Sequence, residues 1–81
     1  MVTTTIPVYD IINRIIQDSR NAGHEDIAKK LDSAMHLGSS GLEIIGAIKT
    51  VLETNRNEIE KFATKSEING IIDFARRAYT E

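Results

Sequence analysis

The 81-residue chain contains no cysteine, which excludes a disulfide framework and any thiolate-held metal and permits a reducing compartment. Cytoplasm is the expectation. Long apolar runs are also missing: every hydrophobic segment is far shorter than a bilayer-spanning helix needs, so no membrane insertion is expected. Met1-Val2-Thr3-Thr4-Thr5 lacks the basic region, apolar run and cleavage site of a signal peptide, which predicts a soluble, unprocessed protein. Nor is there an excess of either charge. Ten Lys plus Arg against twelve Asp plus Glu leave a net charge of −2, split evenly between residues 1–37 and 38–81. A nucleic-acid binder carries a basic stripe, whereas Lys29-Lys30 and Arg76-Arg77 are isolated pairs, so direct binding of DNA or RNA is not expected. With one proline, no internal repeat and no low-complexity tract, nothing divides the chain, and residues 1–81 read as a single domain with one modest core.

What is present is helical periodicity. Val8, Ile11, Ile12, Ile15 and Ile16 form an i, i+3, i+4 stripe that predicts a first helix from about Pro7 to Asn21. Pro7 suits its first turn, with Thr5 as cap. Gly23 is placed to end it in a left-handed conformation. Ile27, Ala28, Leu31, Ala34 and Met35 continue the pattern from about Glu25 to Leu37, and Glu25 and Asp26 favour the positive end of that second helix.

Gly38-Ser39-Ser40-Gly41 then breaks the pattern. Ser40 followed by Glu43 is a capping box, so a third helix starts here and folds back beside the second. Leu42, Ile44, Ile45, Ala47, Ile48, Val51 and Leu52 cover more than half of its wheel, which makes it the expected centre of the bundle, with Ile45, Ile48 and Leu52 buried. Gly46 within it predicts close approach of a neighbouring helix. Asn55-Arg56-Asn57-Glu58 is a second cap-like pattern, at which the helix either bends or gives way to a short one carrying Ile59 and Phe62. Thr64-Lys65-Ser66-Glu67 is a third capping signal, ahead of a last helix from about Ser66 to Tyr79 with Ile68, Ile71, Ile72, Ala75, Ala78 and Tyr79 on its stripe. Arg76 and Arg77 sit near its negative end. The fold class is therefore all-α: a compact bundle of about four helices with short connections.

The chemistry-bearing residues do not assemble into a catalytic motif. His24 and His36 stand at opposite ends of the second helix, too far apart for the i, i+4 pair that holds a metal on one helical face. Glu67 and Asp73 are separated by six helical residues and read as solvated charges. The Gly-Ser connection lacks the Gly-x-x-x-x-Gly-Lys-Ser/Thr spacing of a phosphate loop and places the acidic Glu43 where an anion would approach. Ser39 and Ser40 have no neighbouring base to activate them. No enzyme activity, metal or cofactor is expected. A helix-turn-helix reading fails as well, because the helix after Leu37 would offer base edges Leu42, Ile44, Ile45 and Ile48, which suit a core.

A helical protein-interaction module needs none of this equipment, since surface charge selects a partner without an active site. The segments Ala22-Gly23-His24 and Gly38-Ser39-Ser40-Gly41-Leu42-Glu43-Ile44-Ile45 look like those of small bacterial helical proteins. In size, expected four-helix architecture and mild acidity the chain resembles small bacterial immunity proteins, which neutralise a toxin encoded beside them. That resemblance implies a non-enzymatic inhibitor that binds its cognate toxin directly. Colicin-DNase immunity proteins hold the toxin with an acidic helix and a Tyr-Tyr motif; here Tyr9 and Tyr79 stand apart, so none of their binding residues is carried over. Asp32, Glu43, Glu53 and Glu60 are the acidic candidates for partner contact. The alternative is a small adaptor or chaperone that presents an amphipathic groove to a partner helix.

Overall fold

The computed structural model describes residues 7–37 and 40–80, with side chains described as far as Ala78. Within them the chain forms five helices: α1 (Val8–Asn21), α2 (Glu25–Met35), α3 (Gly41–Thr54), α4 (Arg56–Ile59) and α5 (Lys65–Thr80). There is no strand among the described residues. The all-α expectation holds: four of the five helices are the predicted ones, and α4 is the short helix of the two alternatives after Asn55, ending at Ile59 with Phe62 beyond it.

The ends of the helices follow local chemistry. Pro7 is the residue before α1 rather than its first helical residue; its carbonyl accepts the Ile11 N–H at 3.0 Å. The expected Thr5 cap lies outside the described residues, as do Gly38 and Ser39. At the other end of α1, Gly23 has φ +84°. Around it the His24 N–H bonds to the Ser19 carbonyl at 2.7 Å and the Gly23 N–H to the Arg20 carbonyl at 3.1 Å. These are the paired bonds of a Schellman turn, which satisfies two carbonyls left free by the helix end. Helix α2 stops two residues short of the expected Leu37, with His36 as its final half-turn.

Ser40 caps α3 as its position predicts, its Oγ accepting the Glu43 N–H at 3.2 Å from an extended backbone. Asn55 behaves differently from the expected cap of a new helix. Its side-chain amide donates back to the Val51 carbonyl at 3.0 Å, and its Oδ1 accepts from Lys30 Nζ at 3.2 Å. The side chain therefore closes α3, and the one-turn helix α4 starts with no side-chain cap. Thr64 and Glu67 complete a reciprocal capping box at α5: the Glu67 N–H bonds to Thr64 Oγ1 at 3.1 Å and the Thr64 N–H to Glu67 Oε1 at 3.0 Å. That box starts α5 at Lys65, one residue before the predicted position.

The apolar stripes meet in one core. Ile12, Ile15, Ile27, Leu31, Ile48, Leu52, Ile59, Ile68 and Ile71 are fully enclosed, and Ile45 is buried with them. Helix α3 packs against α2, α4 and α5, which gives it the expected central position, and α1 packs on α2. Gly46 is half-buried within α3. Among the described residues one polar side chain lies in this core: Ser19, fully buried, donates to the Ile15 carbonyl at 2.6 Å, with the Ile16 carbonyl at 3.1 Å. Bonding back to its own helix is what lets a hydroxyl be buried without loss of a hydrogen bond. Leu42 departs from its predicted stripe and is 49% exposed, while Leu37, beyond the end of α2, is 65% exposed.

Candidate functional site

The starts of α1 and α3 and the last third of α5 lie at the same end of the bundle. Where they meet, Pro7, Val8, Tyr9, Asp10, Gly41, Leu42, Ile45, Phe74 and Ala78 line a groove of ≈ 450 Å³. Its floor is core: Val8 and Ile45 are buried, and Phe74 is partly buried against them. Its walls are not. Tyr9 is 43% exposed and Leu42 49% exposed, so two large apolar side chains stand open to solvent across one depression. Scattered apolar side chains on a surface are ordinary; these two converge on one groove, which makes it the candidate site.

Helical geometry explains why the groove exists. Tyr9 follows Val8 by one residue and is rotated about 100° away from the buried stripe. Leu42 occupies the first turn of α3, where the helix has only begun to enter the bundle. Phe74 likewise falls off the Ile68, Ile71, Ile72, Ala75 stripe of α5. Asp10 is the single charged residue in the lining. It lies in the first turn of α1, where the helix dipole favours an anion. It takes part in no ion pair or side-chain hydrogen bond among the described residues.

The four acidic candidates are spread over α2, the two ends of α3 and the residue after α4. Glu43 is exposed in the first turn of α3, next to the groove wall residue Leu42. Asp32, on α2, has His36 beside it: His36 Nδ1 lies 2.8 Å from the Asp32 carbonyl and 3.7 Å from its carboxylate. Glu53 is held by Lys49 at 3.2 Å, with Arg76 at 3.9 Å. Glu60 is held by Arg56 at 3.1 Å. Glu53, Arg56, Asn69, Asp73 and Arg76 belong to a second depression between α3 and α5, of ≈ 560 Å³. Its polar side chains pair with one another, since Arg56 also donates to Asn69 Oδ1 at 2.8 Å.

Glu67 is not the solvated charge its position suggests. Arg14 of α1 grips it with two bonds of 2.8 Å and also donates to the Phe62 carbonyl at 3.1 Å. The Arg14 hydrogen bonds, followed by the Thr64 N–H, hold the Glu67 carboxyl at about 2, well below its ordinary 4.5. This arrangement joins α1 to the α4–α5 connection and is fully occupied by its own partners. Asp73, one and a half turns further along α5, pairs with Arg77 at 3.0 Å. His24 makes an edge contact with Phe62, ring centroids 5.3 Å apart, and His36 stands at the far end of α2. Among the described residues no group of three or more His, Asp or Glu side chains is placed to hold a metal ion. No described helix is long and apolar enough to cross a membrane.

The groove residues Tyr9, Leu42 and Phe74 were not legible as a set. The available signal was negative: each is a large apolar side chain out of register with its own helix stripe or at a helix start. Comparisons with family models, with curated proteins and with solved structures give no match to this chain.

Proposed function

We propose that this chain is a non-enzymatic protein-binding module, and that it acts as an immunity protein that neutralises a cognate bacterial toxin by direct, stoichiometric binding in the cytoplasm. The observation that supports the reading is the apolar groove between α1, α3 and α5, where Tyr9 and Leu42 remain exposed over a buried floor. Apolar anchors of this kind, aromatic ones above all, contribute most of the free energy when a partner excludes water from them. The acidic residues around the molecule then contribute steering toward a basic toxin surface, an effect that weakens with salt.

Co-expression with any toxin domain encoded beside the chain tests this reading. Growth should be restored, and the purified proteins should form a complex in which inhibition follows stoichiometry without turnover. Absence of both protection and binding would reject immunity. The adaptor reading draws on the same groove, which has the form that receives one face of an amphipathic helix. Genes for secretion or regulatory components beside this one, in place of a toxin, would favour it.

A further inference from the structure

We infer that the apolar groove receives a basic amphipathic helix of a partner protein: leucine-like anchors seat between Tyr9, Leu42 and Phe74, and a Lys or Arg beside them pairs with Asp10. This rests on the protein-binding reading and specifies the chemistry of its partner.

The groove is open along the side walled by Tyr9 and Leu42. A small molecule held there would keep much of its surface in water, whereas ligand pockets enclose about 70–90% of what they bind. A helix needs only one face covered, and its anchors repeat at i, i+3, i+4 and i+7.

Charge settles the sign. Glu53, Glu60 and Glu67, which line other depressions, already have cationic partners. Asp10 has none among the described residues and is the one charge that lines the groove. An acidic helix would place its carboxylate against that of Asp10, while a basic one gains an ion pair at the rim, where it selects a partner as much as it strengthens binding.

Two synthetic helical peptides of about 14 residues, with leucine at i, i+3, i+4 and i+7, test this: one carries lysine on the flank of the leucine stripe, the other glutamate. They are titrated into the full-length, isotope-labelled protein while chemical shifts are followed. The lysine peptide should perturb Tyr9, Leu42 and Phe74, and should bind about fivefold more tightly than the glutamate peptide at low salt, the scale of an exposed ion pair. Asp10→Lys, a change at an exposed position, should reverse that preference. Leu42→Glu, with helicity verified by circular dichroism, should abolish binding of both.

Equal affinity of the two peptides for the wild type and for Asp10→Lys would overturn the basic partner. Failure of both peptides to bind, or shifts confined to the polar depression around Arg56, would overturn the groove as the helix site. So would a dimer in sedimentation that Leu42→Glu dissociates, or nuclear Overhauser contacts from the Phe74 ring to residues 1–6 in the free protein. The immunity reading is judged separately. It fails if the chain neither protects against nor binds a toxin domain encoded beside it, whatever the peptides do.

Discussion

Glu67 concentrates the electrostatics of the molecule. One carboxylate accepts from the Thr64 backbone and from both terminal nitrogens of Arg14, so it closes a helix start and ties α1 to it. Because its folded pKa of about 2 lies below the ordinary 4.5, the associated stability is fully present above about pH 4.5 and is lost as pH falls toward 2. With Arg14 largely in contact with solvent, screening reduces the coupling to about 1 kcal/mol. A double-mutant cycle of Arg14→Met and Glu67→Gln, measured by urea unfolding at pH 7, should return a value near this and a smaller one in high salt. The Thr64–Glu67 box could be read from sequence, because a cap is a contact across three residues. Arg14 could not, since it is 53 residues away and only the tertiary fold brings it there.

Element boundaries divide in the same way. Ser40, Gly23 and Thr64 act through bonds to their immediate neighbours, and each does what its position in the sequence predicts. Ser40→Ala should therefore cost about 1 kcal/mol, measured by thermal or urea unfolding. Gly23→Ala should cost about 1–2 kcal/mol. Nothing lies within 4 Å of a Cβ built at Gly23, so that cost is one of backbone conformation alone. Asn55 was the ambiguous signal. An Asn-x-x-Glu spacing fits a helix start, but the same side chain can bond backward, and here Val51 and Lys30 claim it. The choice depends on α2 lying close enough to supply Lys30, which no local pattern encodes. Helix α2 ends at Met35, where the His36 ring turns back to the Asp32 carbonyl at 2.8 Å, and Leu37 is left outside.

At the scale of the molecule, a radius of gyration of 12.2 Å matches the value of about 12 Å expected for a compact chain of this length. The hub is α3, whose Ile48 and Leu52 are completely enclosed. Ile48→Asp places a carboxylate in that core with no partner, and loss of cooperative unfolding, or a drop of at least about 3 kcal/mol, is expected. The core was readable because burial follows the 3.6-residue period. The groove was not, because it is made where three helices fail to cover one another, and that depends on how far each start and end projects.

The central claim is that the chain works by holding a partner on the groove walled by Tyr9 and Leu42. Its most direct test is growth on co-expression with a toxin domain found encoded beside it, comparing wild type with Leu42→Glu at matched levels of folded protein. Leu42 is half exposed, so the substitution should change stability by roughly 0.5 kcal/mol or less, which unfolding of the purified variant verifies. The account predicts full protection by the wild type and loss of protection by the folded variant. Undiminished protection by Leu42→Glu would contradict it.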